Sequence, residues 1–189
     1  AVGCCLGIPW YIDWAYDGPY GILSFVRNNV DRDGRYFETS AMYADHTRSL
    51  YLTFAEPLFN YRSDKYPSGI NLYDDRQFQS FYVLPQLSFS CIGKTPRFGD
   101  SGPDTARSHL PKRPNNQFDY RLAERLYARV SDPADRAKFG GLLNWLSAGD
   151  PEAMRHSDGE MPWLLFHGRA LEADPDAALD PRLARKISQ

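Results

Sequence analysis

Residues 31–60 read DRDGRYFETSAMYADHTRSLYLTFAEPLFN, and their reading decides the fold. From Ala41 to Leu58, Met42, His46, Leu50 and Phe54 fall four apart, which puts them on one face of a helix. His46 lies within that apolar stripe, where a His taken alone reads as a core residue. Thr39 or Ser40 can cap the helix by accepting backbone N–H bonds. Pro57 falls where the helix should end. Upstream, Asp33-Gly34 is a turn pair in which Gly supplies a positive φ. Glu38, just before the helix, is favoured there by the helix dipole. Tyr43 alone reads as packing. Tyr43 and His46 together at one helix entrance are more informative, because both side chains can carry protons.

Working outward, helical patterns dominate. GPYGILSFVRNNV (18–30) places Ile22, Phe25, Val26 and Val30 at helical spacing behind a Gly-Pro start. Residues 74–91 read as a further helix with Pro85 as a kink or stop. DYRLAERLYARV (119–130) is amphipathic through Leu122, Leu126 and Val130. SDPADRAKFGGLLNWLSAG (131–149) follows, with an Asp-Pro start and a buried face of Leu142, Leu143 and Leu146. Strand-like alternation is almost absent. The expected fold is all-α, built from helical hairpins. Two loop-rich stretches interrupt it, 60–75 and 93–116. Loops as long as the second are usually functional, and this one carries Lys94, Arg97, Arg107, Lys112 and Arg113. From Leu171 to Gln189 the chain reads as a linker.

Composition narrows the class. A chain of 189 residues, 42% of them hydrophobic, is about one ordinary domain with a real core. A mean hydropathy of -0.54 and the lack of a long apolar run exclude a membrane span. AVGCCLGIPW (1–10) lacks a signal-peptide pattern and does not begin with Met, so the chain reads as a piece of something longer. Net charge is -2, far from a nucleic-acid-binding balance. Residues 61–118 alone are basic, with eight Lys or Arg against five acids, as an anionic partner would require. Cys4, Cys5 and Cys91 lack metal-ligand spacing. Buried thiols are the favoured reading, and a Cys4–Cys91 or Cys5–Cys91 disulfide is the alternative.

In PRFGDSG (96–102), Gly99 and Gly102 flank Asp100 and Ser101, so the backbone can bend around a carboxylate and a hydroxyl. A simple turn explains that equally well. The phosphate-loop pattern GxxxxGK[ST] and the nucleophile elbow GxSxG are absent. Four Trp, twelve Tyr and eleven Phe are many for this length. Most serve packing, but aromatic platforms beside basic groups also suit sugar rings carrying carboxylate or sulfate.

The ordered set DGPYG (17–21), DGRYFETSAMY (33–43), AEPL (55–58), NLYDD (71–75), PRFGDSG (96–102) and MPWLLFHG (161–168) resembles the heparinase II/III-like polysaccharide lyases. The resemblance covers roughly residues 10–170. It implies the later part of an (α/α) toroid: a toroid fragment over 1–170 and a linker over 171–189 toward a β-sandwich domain of the same protein. It also implies β-elimination on a uronic-acid polysaccharide, with an anionic polysaccharide as substrate and no cofactor or metal in this chain. A periplasmic or secreted location would follow, and this piece alone would be inactive. Tyr43 and Glu38 match the family's toroid element. Many members place His or Asn directly after that Tyr. Here the next residue is Ala44, and His46 is the nearest His. Tyr82 is the nearest candidate for the family's second toroid Tyr. Proton transfer would thus fall to Tyr43, His46 and Tyr82, with Glu38, Asp100, Arg48, Arg97 and Arg107 orienting or binding substrate. Two other classes stay open. One is a non-catalytic helical module that binds carbohydrate. The other is a glycoside hydrolase in which Glu38 and Asp100 lie within about 5–10 Å.

Overall fold

A computed structural model describes the backbone of residues 1–32, 34–38, 40–82, 120–147, 165–166 and 168–179. The described residues fall into two compact units, residues 1–82 and residues 120–179. Both are helical, and no strand occurs among the described residues. The all-α expectation is borne out.

The first unit holds α1 (Val2–Leu6), α2 (Pro9–Tyr16), α3 (Ile22–Asn29), α4 (Ala41–Asn60), a 3-10 turn (Leu72–Asp74) and α5, described over residues 76–82. The reason for each boundary is local. Gly7, at φ 63°, closes α1 in the left-handed conformation that glycine adopts without strain. Pro9 occupies the first turn of α2, where its missing N–H is harmless. Ser40, itself buried, caps α4 by accepting the Tyr43 N–H. Asp75 caps α5 by accepting the Phe78 N–H at 2.9 Å.

α4 ends at Asn60, three residues beyond Pro57. A proline this close to a helix end removes one donor without breaking the remaining turn, so the expected stop comes late.

A cluster of four rings joins this unit. Phe25 of α3, Tyr36, Tyr51 of α4 and Phe81 of α5 contact one another with centroids 5.2–6.2 Å apart. Phe78 and Tyr82 extend the cluster, and Tyr73 reaches α4 by donating its hydroxyl to Glu56 Oε1 at 2.7 Å.

The buried face of α4 is not the stripe that fourfold spacing marks out. Ala44, Arg48, Leu52, Ala55 and Leu58 are buried, while Leu50 and Phe54 are 47% and 40% exposed and His46 is exposed. Ala44, Arg48 and Leu52 are also four apart, and an offset of two residues on a helix of 3.6 residues per turn is a swing of about 160°, so fourfold spacing fits either of two nearly opposite rows. The face that wins brings Tyr51 into the ring cluster and puts the small Ala44 and Ala55 where neighbours come close.

In the second unit, α6 (Tyr120–Arg129) packs on α7 (Pro133–Ser147), and a short helical turn, α8 (Gly168–Ala170), packs on α6. Leu126 and Val130 are buried and Leu122 is half-buried; Leu142, Leu143 and Leu146 are buried, as expected. Asp132 caps α7, accepting the Ala134 and Asp135 N–H groups. The stretch after Leu171, expected as a linker, is tied to α7 as far as it is described. Asn144 donates to the carbonyls of Asp174, Pro175 and Ala177. A Cβ on Gly141 would stand 2.1 Å from the Ala178 carbonyl oxygen.

Cys4 and Cys5 are free thiols. Cys4 is half-buried, and burial pushes its thiol pKa up. Cys5 is exposed, which overturns the buried-thiol reading there. Pro85 and Cys91 lie outside the described residues.

Candidate functional site

The turn before α4 is held from several sides. Gly34 has φ 86°, as the Asp-Gly pair requires, and a Cβ there would meet the Ser80 carbonyl oxygen of α5 at 2.3 Å. Asp31 Oδ1 accepts the Arg35 N–H at 2.9 Å, and Val30 pairs with Tyr36 in an isolated antiparallel bridge. Gln77 of α5 donates to the Val30 carbonyl. The turn is thus built onto α3 and α5, and the chain leaves it directly into the Ser40 cap.

Immediately outside this frame stand the chemical groups. Phe37 is 58% exposed and Glu38 is exposed. Tyr43, 40% exposed, lies in the first turn of α4, and His46 is exposed one turn further on. Residues three apart on a helix are neighbours on its surface, about 5–6 Å between Cβ atoms. The phenol and the imidazole therefore share one outward side of the N-terminal half of α4. That placement removes the core reading of His46.

Arg48 and Tyr82 are inside. Arg48 is 3% exposed; its Nη1 donates to the Phe81 carbonyl at 3.3 Å and its Cζ lies 5.3 Å from the Phe81 ring centroid. Tyr82 is 1% exposed and donates its hydroxyl to the Arg48 carbonyl at 3.1 Å. Both stitch α5 to α4. A phenol sealed in a helix contact cannot reach a polymer, and a guanidinium this buried cannot bind one, so the expected substrate roles of Arg48 and Tyr82 are withdrawn. Asp100, Arg97 and Arg107 lie outside the described residues, and with them the Glu38–Asp100 separation that a hydrolase would need.

A second surface is aromatic. On α2, Trp10 and Trp14 are 62% and 60% exposed, and Tyr11 is 43% exposed. Of the eight residues PWYIDWAY only Ile12 is buried. Apolar residues surround that helix on all sides, and a single neighbour can cover only one of them. Beside them Asp13 accepts from Lys65 Nζ at 2.8 Å and from the Tyr66 hydroxyl at 3.1 Å, which fastens the 61–71 loop to α2. The Lys65 hydrogen bond, helped by Tyr66, holds the Asp13 carboxyl below its ordinary value. Burial pushes the Tyr16, Tyr51 and Tyr66 hydroxyls up, so these phenols stay protonated at neutral pH.

Among the described residues no group of three His, Cys, Asp or Glu side chains could hold a metal ion. No helix among them is long and apolar enough to cross a membrane. No protein-family model, curated protein or solved structure matches the chain.

Proposed function

We propose that the chain is part of an (α/α)-toroid polysaccharide lyase that cleaves a uronic-acid polymer by β-elimination. The observation that carries this reading is the shared outward side of Tyr43 and His46 on α4, a few residues after the exposed Glu38. Glu38 and Tyr43 belong to the stretch through which the sequence resembles the heparinase II/III-like family, and His46 is the His nearest to the place where many members carry His or Asn.

The reaction needs three things. The uronate carboxylate must be neutralised so that negative charge can spread onto it in the transition state. A base must take the C5 proton, and an acid must protonate O4 as it leaves. The electron pair of the C5–H bond becomes the C4=C5 double bond, and the C4–O4 pair departs with the leaving sugar. On this surface Tyr43 is the proton-transfer group and His46 faces the carboxylate, with Glu38 orienting them. The positive end of the α4 dipole favours an anionic group near its first turn.

The test is the ultraviolet absorbance of unsaturated uronate, released from heparan sulfate, heparin, hyaluronan or alginate. The protein at full natural length is run beside this chain. Tyr43→Phe and His46→Ala are expected to lower turnover by about a hundredfold or more, the usual scale for a lost acid–base group, and to leave the unfolding midpoint unchanged. Tyr82→Phe is expected to do the reverse, reducing stability by about 0.5–1.5 kcal/mol with turnover retained. Outward variants that keep full activity would sink the assignment.

The exposed indoles of Trp10 and Trp14 favour a second reading, a non-catalytic module that stacks on sugar rings. It predicts saturable binding to anionic polysaccharide, weakened by salt, without unsaturated product.

A further inference from the structure

The α1–α2 hairpin carries an apolar surface that the first unit leaves open. The chain turns at Gly7, and Gly3 of α1 stands against α2, where an added Cβ would lie 2.9 Å from Tyr11 Cβ and 3.2 Å from Ile12 Cγ1. Residues four apart on a helix share one side. Val2 and Leu6 form such a pair on α1 and are 66% and 65% exposed; Trp10 and Trp14 form one on α2. The Tyr11 ring lies against Trp10, with centroids 4.0 Å apart. Each pair stands one residue before and three after the residue at the helix contact, Gly3 on α1 and Tyr11 on α2. In a hairpin, equal offsets fall on the same side. The four side chains therefore make one patch.

The patch has the character of an interface core. Within residues 1–16 the one charged side chain is Asp13, and Lys65 and the Tyr66 hydroxyl already engage it. Protein contacts are centred on Trp and Tyr and poor in Lys, Glu and Asp. An anionic lipid surface or an anionic polymer calls for Lys or Arg, and residues 1–26 contain none. A sugar ring needs placed polar side chains beside the stacking face, and here Val2 and Leu6 stand there instead. Size points the same way. With about 150–250 Å² for each whole aromatic side chain, Val2, Leu6, Trp10, Tyr11 and Trp14 together expose roughly 600 Å². That is the upper end for the largest patch on a monomer, about 300–600 Å². Two such patches face to face would bury about 1,200 Å², the lower limit for a stable specific interface.

We propose that this patch is the contact face of a homodimer, in which a second copy of the chain lays its α1–α2 hairpin against the first across a twofold axis. A twofold contact uses the same patch on both copies, and an uncharged patch set against itself brings no like charges together. The Trp10 and Trp14 indoles are its anchors. The interface does not rest on the lyase reading, and it competes with sugar stacking for the same indoles. An area at the lower limit goes with a micromolar or weaker dissociation constant.

Sedimentation equilibrium across the micromolar range, on this chain and on the protein at full natural length, tests the proposal. A reversible monomer–dimer equilibrium that stops at two is expected for both. Trp14→Glu puts a carboxylate into each half of the contact and should weaken association at least tenfold, and Trp10→Glu likewise. Both side chains are largely exposed, so the circular dichroism spectrum should not change. Should either variant fail to fold, Leu6→Glu makes the same test from α1. A chain that stays monomeric overturns the proposal, as does open-ended association or a dimer indifferent to all three substitutions. A dimer formed by the chain but not by the protein at natural length also overturns it, since another part of the protein would then cover the patch. So does a monomer whose indole emission responds saturably to hyaluronan oligosaccharides or to phosphatidylcholine vesicles, which would assign the face to sugar or to lipid.

Discussion

α4 and α7 are the two longest helices described, and they treat their apolar residues in opposite ways. α7 encloses its apolar side chains: Phe139, Leu142, Leu143 and Leu146 are all buried, and the 174–178 segment is tied down beside Asn144 and Gly141. α4 buries a mixed face of Ala44, Arg48, Leu52, Ala55 and Leu58 and turns Tyr43, Leu50 and Phe54 outward. A helix that hides its apolar residues serves the core. A helix that hides an arginine while showing a tyrosine, a leucine and a phenylalanine is not arranged for stability alone. Its outward side is the place to look for a ligand or a partner.

The sharpest way to break this comparison is to truncate leucines on the two sides of α4. Leu52 is 7% exposed and Leu50 is 47% exposed. Leu52→Ala is expected to cost about 2–5 kcal/mol, the range for a buried leucine. Leu50→Ala should stay within about 0.5 kcal/mol, as a surface change does. Urea denaturation of the two variants reads the difference directly. Equal losses would mean that the outward side is covered in solution, and the contrast with α7 would disappear.

The sequence made helices easier to read than faces. α7 carries a clear start signal, and the buried residues of α3, α6 and α7 follow the apolar pattern: Ile22 and Val26, Leu126 and Val130, Leu142, Leu143 and Leu146. α4 has its Ser40 cap in plain view. Its buried face is decided by Phe81 and Tyr82, more than twenty residues away in the chain, and by an arginine that stacks on one of them. No local periodicity contains that information. The same distance hid the role of Tyr82, which the family resemblance alone made a candidate for proton transfer. Glu38, Tyr43 and His46 were legible as a group because they are contiguous with the helix cap.

The enclosure of α7 makes its own prediction, of intermediate size. Gly140 and Gly141 sit side by side, yet only Gly141 lies under a backbone. A Cβ would come within 2.1 Å of the Ala178 oxygen at Gly141, and no closer than 3.4 Å to any atom at Gly140. Gly141→Ala is expected to lose about 1–3 kcal/mol through forced displacement. Gly140→Ala should gain up to about 1 kcal/mol from reduced backbone entropy of the unfolded chain and better helix propensity. Opposite signs at adjacent positions, read as thermal midpoints, would confirm that the 174–178 segment is part of the fold. Matching effects would mean that the segment leaves α7 in solution.

The smallest expected effect concerns how α2, with its outward tryptophans, is fastened. The Lys65 hydrogen bond, with help from Tyr66, lowers the Asp13 pKa in the folded state. A carboxyl whose folded pKa is depressed contributes stability that is fully present above its unfolded value of about 3.9 and is lost as pH falls through the folded value. The expected loss therefore lies below about pH 4. It should be slight, because Lys65 and Asp13 are 54% and 40% exposed and such pairs are weak and screened. Asp13→Asn should remove this part of the acid dependence at low salt, and 1 M salt should remove it from the parent chain. If the acid limb of the stability curve is the same in both proteins at low salt, the Asp13–Lys65 pair does not hold the loop. The position of α2 would then rest on Ile12 and on the edge contact between Tyr16 and Tyr66, whose centroids are 6.0 Å apart.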